Sequence, residues 1–200
     1  MNKKCFFTCL TALIIFTVFA VLTVCGLTAS INVELASRIQ SWESPALTAF
    51  FLIVTNMGQW FVYVPLSVLL LVLPKTRSKI GVPLAATLAV SAAANALLKA
   101  LFAVPRPAAH RLITERGFGF PSGHAMNGVA FVGVLVILLL RYSSAKRVKV
   151  WAITGTVVFL ALIGLSRVYL GVHTPCDVFA GYAAGLCVCT ACIMVIDLAV

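Results

Sequence analysis

The chain has 200 residues, of which 62% are hydrophobic and 10% are charged. Soluble domains are about 45–50% apolar and about 25% charged, so this composition excludes a soluble globular enzyme and a disordered chain. The formal net charge of +10 lies largely in short clusters between apolar runs. That placement argues against a nucleic-acid partner and is typical of the cytoplasmic loops of membrane proteins.

Six apolar segments follow one another, and each is long enough to cross a bilayer as a helix of roughly 20 residues. We therefore predict an all-α integral membrane bundle that forms one domain over residues 1–200. The first segment follows basic residues as a secretory signal does, but it is too long for a usual signal core, and we interpret it as a retained span. The predicted spans are residues 5–28, 47–73, 80–103, 122–140, 150–169 and 176–196.

The basic clusters predict the orientation of the bundle. Residues 1–4, 74–79 and 141–149 hold nine of the fifteen lysines and arginines. Cytoplasmic loops carry this excess, so we expect both termini in the cytoplasm. The loops between them, about 29–46, 104–121 and 170–175, then face outward, as expected for a multi-pass protein of the cell membrane.

The remaining ionisable residues map to the outward ends of spans three to six. An ionisable residue in or beside a span is costly and is therefore a functional candidate. Lys99 and Arg106 are seven residues apart, and the prolines on either side of Arg106 prevent a regular helix there. Two converging cations suit an anion, and arginine can form bidentate hydrogen bonds to phosphate oxygens. The alternative is that both side chains extend to lipid headgroups.

The second candidate element, residues 121–124 with the sequence Pro-Ser-Gly-His, opens the fourth span. Ser122 can cap the helix, and Gly123 lets the backbone approach a ligand. Free backbone N–H groups at a helix start attract anions, and His124 can carry a proton near neutral pH. The alternative is an ordinary capped helix start with an interfacial histidine.

The third candidate element joins the fifth span to the sixth. It contains Ser166 and Arg167, then His173, then Asp177 four residues later. A carboxylate there can hold one imidazole nitrogen and leave the other as a nucleophile. The alternatives are that Asp177 only caps the sixth helix or that the pair binds a metal, for which no further ligand set is present.

Together these blocks resemble the pattern of the phosphatidic acid phosphatase type 2 superfamily, which also includes the vanadium-dependent haloperoxidases. The family pattern is Lys, six residues, Arg-Pro; then Pro-Ser-Gly-His; then Ser-Arg, five residues, His, three residues, Asp. All three blocks are intact at residues 99–107, 121–124 and 166–177. The resemblance covers about half of the chain, and the first two spans carry no signature.

The resemblance implies a role for each residue. His173 would attack phosphorus and form a phosphohistidine, Asp177 would orient it, and His124 would protonate the leaving oxygen and then activate water. No metal or cofactor is implied. Phosphoryl oxygens would be bound by Lys99, Arg106, Ser122, Gly123 and Arg167. The neighbouring residues 110–116, which include Glu115, are expected to form a solvated loop face, although headgroup contact is an alternative.

The sequence thus predicts a membrane lipid phosphatase with its site at the outer interface. The resemblance suggests undecaprenyl pyrophosphate, phosphatidylglycerophosphate or phosphatidic acid as substrate. A lipid phosphotransferase would use the same phosphohistidine. An anion transporter is a remote alternative, because it predicts repeats and charges near the bilayer midplane. A binding protein with inactive motifs is another, which the intact set of residues disfavours.

Overall fold

The computed structural model describes residues 3–141 and 144–199. Within these residues the regular structure is entirely helical, which confirms the predicted all-α class. A π-helical turn, Arg77–Gly81, leads directly into the fifth of eight α-helices. The helices are α1 (Lys3–Val24), α2 (Ala29–Gln40), α3 (Pro45–Met57), α4 (Trp60–Val72), α5 (Val82–Phe102), α6 (Gly123–Leu140), α7 (Lys146–Tyr169) and α8 (Pro175–Ala199).

Six segments of the described chain are long and apolar enough to cross a membrane, as the sequence predicts. Their outward surfaces carry many exposed large apolar side chains, which suits contact with lipid. The segments are Lys3–Val24, Pro45–Val72, Arg77–Phe102, Gly123–Leu140, Lys146–Tyr169 and Pro175–Leu198.

The second segment, predicted as one span over residues 47–73, is present but consists of two helices. Helix α3 ends at Met57 and α4 begins at Trp60. Between them, a Cβ added to Gly58 would lie 2.9 Å from Cδ1 of Ile163 and 3.3 Å from Cδ2 of His124. Because only glycine leaves that space, the break packs closely against the first turn of α6.

The segment expected to be a simple outward loop, residues 29–46, contains α2. Its twelve residues are too few to cross a bilayer, but they are rich in helix-forming side chains. Gln40 Nε2 donates to the Val168 carbonyl at 3.1 Å, and Asn32 Oδ1 accepts from the backbone N–H of Cys176 at 3.1 Å. These contacts fix α2 across the adjoining ends of α7 and α8.

Close packing of α6 on α8 brings two of the motif blocks together. Gly181 and Gly185 lie one turn apart on α8, and a Cβ at Gly181 would lie 2.6 Å from the Ser122 carbonyl oxygen. Small residues at this spacing let two helix backbones approach in a membrane. As a result, the Ser122 N–H donates to the Asp177 carbonyl at 2.9 Å.

The alternating directions of the six segments give the bundle two distinct ends. Residues 103–122 and 170–174 lie at one end, which we call the loop end. The basic residues at 3–4, 75–79 and 141–149 lie at the other, the basic end, where Arg141 forms an ion pair with Asp197. Every predicted site residue lies in the loops of the loop end or within four residues of them.

Candidate active site

A capping box fixes the start of α8 and with it the third motif block. The Thr174 hydroxyl accepts from the Asp177 N–H at 3.2 Å, and Asp177 Oδ2 accepts from the Thr174 N–H at 2.8 Å. This reciprocal pair satisfies two donors at the helix start. The capping role considered for Asp177 is therefore present, and the same carboxylate also faces His173.

His173 is held between a carboxylate and a guanidinium. Its Nδ1 lies 3.6 Å from Asp177 Oδ2, and its Nε2 lies 3.1 Å from Arg106 Nη1. A guanidinium can only donate, so Nε2 carries the lone pair and Nδ1–H faces Asp177. Burial lowers the pKa of His173 to about 4, although Asp177 acts in the opposite direction. The imidazole is therefore neutral at physiological pH.

Backbone carbonyl groups of two loops position Arg106. Its Nε donates to Gly117, its Nη2 to Arg116 and its Nη1 to Val172, each at 3.1 Å. The side chain is 7% exposed. Arg106 thus joins residues 103–122 to the loop that carries His173.

Arg167 is buried at the centre of the site and has one partner on each side. Its Nη1 donates to the Thr55 hydroxyl at 2.7 Å, and its Nη2 donates to Glu115 Oε1 at 2.6 Å. Glu115 Oε2 also lies 4.0 Å from Arg106 Nη2. Partial burial alone would raise the pKa of Glu115, but Arg167 and Arg106 outweigh that effect and hold the pKa below its ordinary value.

The second motif block contributes side chains without partners in the described structure. Ser122 Oγ and His124 Nε2 are buried and make no hydrogen bond. The expectation that the Ser122 side chain caps α6 is therefore wrong, because it occupies the cap position without bonding the helix. His124 interacts electrostatically with the charges of Arg167 and Lys99, which places it at the same site. A buried polar atom without a protein partner is rare and calls for an explanation such as a catalytic role.

A polar stripe on α5 supports this block. Thr87, Ser91, Asn95 and Lys99 follow at four-residue intervals, so they share one helix face. Asn95 Nδ2 donates to the Pro121 carbonyl at 3.4 Å, and a Cβ on Gly123 would lie 2.9 Å from Asn95 Oδ1. Lys99 Nζ donates to the Phe118 carbonyl and interacts electrostatically with the other charged site residues.

The structure therefore gathers all eight sequence-predicted site residues at the loop end, and it adds two that sequence reasoning missed. Thr55 lies in residues 55–59, where Thr55, Asn56 and Gln59 interrupt an otherwise apolar span, and this interruption was the available signal. Glu115 was assigned to a solvated loop face, but it contacts both arginines. No group of three or more His, Cys, Asp or Glu side chains that could hold a metal occurs in residues 3–141 and 144–199.

The arrangement combines a neutral, oriented imidazole with three fixed cations and the start of α6. Such a site can bind a phosphoryl group and stabilise charge that develops on its oxygens. The Nε2 lone pair of His173 faces Arg106, so a potential nucleophile lies beside the three cations Lys99, Arg106 and Arg167, which we call the anion cradle.

Comparison with known proteins points to one family. The family model of the PAP2 superfamily matches residues 80–199. The undecaprenyl-diphosphatase of Sulfolobus acidocaldarius is 30% identical over 160 residues, which cover 77% of this chain and 73% of that protein. Phosphatidylglycerophosphatase B of Bacillus subtilis is 39% identical over 95 residues, but the match spans only 46% of each chain.

A solved structure shows the same fold. The transmembrane PAP2 type phosphatidylglycerolphosphate phosphatase from Bacillus subtilis superposes with a TM-score of 0.88 at 24% identity. The superposition covers 96% of this chain and 97% of the other. The family match covers more than half of the sequence, including every motif block. The chain is therefore a multi-span membrane protein that belongs to the PAP2 superfamily.

Proposed function

We propose that the protein hydrolyses a phosphorylated membrane lipid through a phosphohistidine formed on His173. The observation that carries this proposal is the contact of the nucleophilic Nε2 with Arg106 at 3.1 Å, inside a cluster that also holds Arg167. The nucleophile and the groups that would bind phosphate are thus in the same place. The phosphatase names of the relatives support the reaction class.

In the first half-reaction, His173 Nε2 attacks phosphorus and the bond from phosphorus to the lipid oxygen breaks. Asp177 holds the Nδ1 proton and stabilises the positive charge that develops on the ring. Protonated His124 donates its proton to the leaving oxygen and becomes neutral. Charge on the phosphoryl oxygens is stabilised by Lys99, Arg106, Arg167, the Ser122 hydroxyl and the Gly123 N–H.

In the second half-reaction, His124 removes a proton from water and the water oxygen attacks phosphorus. The phosphorus–nitrogen bond breaks, inorganic phosphate leaves and His173 returns to the neutral form. Cations of the chain itself supply the charge stabilisation in this proposal, which therefore assigns no step to a metal.

We assign the loop end to the extracytoplasmic face of the cell membrane. The nine basic residues at the basic end support this orientation, since such residues accumulate in the cytoplasm. A site at the interface lets a headgroup reach the cations while the hydrocarbon chain stays in the bilayer. Undecaprenyl pyrophosphate, phosphatidylglycerophosphate and phosphatidic acid all meet this requirement.

A lipid phosphotransferase would use the same first half-reaction and differ only in the acceptor. Product analysis separates the two outcomes, because hydrolysis releases inorganic phosphate whereas transfer yields a phosphorylated lipid. An anion transporter would move phosphate across the bilayer without breaking any ester bond.

The test is phosphate release by the protein purified in detergent with a metal chelator present. The three lipids are compared side by side, and His173→Ala should abolish release. The matched control is His110→Ala, because the His110 ring pairs with Glu43 at 2.8 Å rather than with a predicted site residue. No release from any of the three lipids by folded wild-type protein would refute the proposal.

A further inference from the structure

The Glu115 carboxylate lies where two arginines converge. Its Oε1 accepts from Arg167 Nη2 at 2.6 Å, and its Oε2 lies 4.0 Å from Arg106 Nη2. Planar guanidinium groups bind carboxylate and phosphate oxygens in the same way. The two cations best placed to bind a phosphoryl group thus already share one carboxylate of the same chain.

Glu115 is the more exposed partner of its ion pair with Arg167. Its side chain is 25% exposed, whereas the Arg167 side chain is 1% exposed. In the described residues Glu115 is the anionic partner of Arg167, whose other contact is the neutral Thr55 hydroxyl. The carboxylate therefore compensates a buried charge that would otherwise be costly.

Arg106 couples this ion pair to the nucleophile. Its Nη1 donates toward His173 Nε2 at 3.1 Å, so it uses the lone pair that would attack phosphorus. While Arg106 holds this position, Glu115 occupies the anion cradle and His173 Nε2 is hydrogen-bonded to Arg106. An incoming phosphoryl group that draws Arg106 onto its own oxygens would release Nε2.

We propose that Glu115 is a specificity-determining residue, an internal occupant that only a phosphoryl group with two or more negative charges displaces from Arg106 and Arg167. This inference rests on the proposed function. The bilayer around the site is rich in phosphodiester headgroups, each with a single phosphate charge. Such a group offers the arginines no more charge than the carboxylate already does, whereas a phosphomonoester or pyrophosphate offers more.

The loop geometry allows this exchange without movement of the helices. The Gly119 N–H donates to the Val104 carbonyl at 2.8 Å, so the two ends of the loop that carries Glu115 are joined. Displacement then requires rearrangement only of the segment inside this closure.

The test measures binding of inorganic phosphate to the purified protein by calorimetry. The Glu115→Gln variant should bind phosphate about tenfold more tightly, because phosphate no longer competes with the carboxylate for Arg106 and Arg167. The same variant should become sensitive to inhibition by phosphatidylglycerol in mixed micelles. Glu43→Gln removes an equal charge at the loop end but lies outside the cradle, and it should behave as wild type.

A purely structural role for Glu115 gives the opposite result. If the carboxylate only supports Arg167, Glu115→Gln should bind phosphate as weakly as wild type or more weakly, and that outcome would overturn the proposal. Phosphate binding can be measured without turnover. If Glu115→Gln binds phosphate more tightly while the wild-type protein hydrolyses none of the three lipids, the proposed function is rejected and this inference is retained.

A second measurement needs no variant. Displacement of Glu115 should free the adjoining Arg116 from its backbone contact with Arg106. Saturating phosphate should therefore speed trypsin cleavage after Arg116 in the wild-type protein. Unchanged or slower cleavage at this bond under saturating phosphate would contradict the proposal.

Discussion

The Thr55 hydroxyl accepts a hydrogen bond from Arg167 Nη1 at 2.7 Å, which joins the second span to the fifth inside the site. We expect Thr55→Val to lower kcat/KM by about thirtyfold. A buried hydrogen bond to a charged group contributes roughly 1.5–3 kcal/mol, and Arg167 would be left unsatisfied.

The matched control for this variant is Thr48→Val. Thr48 also lies on α3, but its hydroxyl pairs with Tyr169 at 2.8 Å instead of a site residue. An equal loss of kcat/KM in both variants would mean that α3 acts through its packing rather than through Arg167.

Asp177 combines a structural contact with a chemical one, and the two can be separated. Asp177→Asn keeps an oxygen that can accept from the Thr174 N–H but removes the charge facing His173. We expect kcat to fall on the order of a hundredfold or more, with only a small change in Tm. Thr174→Ala should do the reverse, lowering Tm with a modest effect on kcat, as measured by phosphate release and thermal unfolding in detergent.

The packing of α6 against α8 predicts a strong asymmetry between two glycines. Gly181→Ala places a Cβ 2.6 Å from the Ser122 carbonyl, and overpacking of this kind costs roughly 1–3 kcal/mol. We expect lower Tm and lower activity, because the displaced backbone carries the second motif block. Gly155→Ala on α7 meets no atom within 4 Å and should leave both quantities unchanged or raise Tm.

Under the proposed mechanism, the pH profile of kcat/KM should reflect the protonation of the buried His173. Burial lowers the pKa of His173 from 6.5 to about 4. Asp177 opposes this shift, whereas Arg167 and Arg106 reinforce it. The loss of activity caused by protonation of His173 is therefore expected near pH 4 and not near pH 6.5. After correction for substrate ionisation, a limb near pH 6.5 that persists in His124→Ala would contradict this assignment.

The same shift has a consequence for stability. Folded His173 binds fewer protons than the unfolded chain between its two pKa values. Stability contributed by this residue is therefore present above pH 6.5 and declines as pH falls toward 4. Thermal unfolding of wild type and His173→Gln over this range should show a steeper decline in the wild type.

The orientation of the bundle in the membrane can be determined by labelling introduced cysteines. In a background without the seven native cysteines, Glu43→Cys should react with a membrane-impermeant maleimide added to intact cells. Lys75→Cys should react only after the cells are opened, because its cluster is expected in the cytoplasm. The reversed pattern would place the site on the cytoplasmic side.

The sequence predicts the six spans and the eight motif residues because both leave strong local signals. Apolar runs of membrane-spanning length are continuous in the chain, and costly charges beside them are conspicuous. Their convergence depends on Gly181 and Gly185, whose contacts with α6 are long-range and invisible to local patterns.

Other parts of the site could not be obtained in this way. Glu115 belongs to an irregular loop, where composition does not distinguish a solvated acid from one that folds back onto Arg167. Ser122 stands at a helix start as a capping residue would, yet its hydroxyl bonds nothing in the helix. Helix α2 resembles a polar loop in its composition, and its contacts with Val168 and Cys176 determine where it lies.

The hydrogen bond between Gly119 and Val104 has a consequence for how substrate preference can diverge among related enzymes. Since the two ends of the loop are joined, it can gain or lose residues without moving the helix ends. The entropic cost is small, because each doubling of loop length costs only about 0.6 kcal/mol. Headgroup recognition could thus be exchanged by grafting residues 108–114 between homologues, with Arg106, Glu115 and the site residues on the helices left in place.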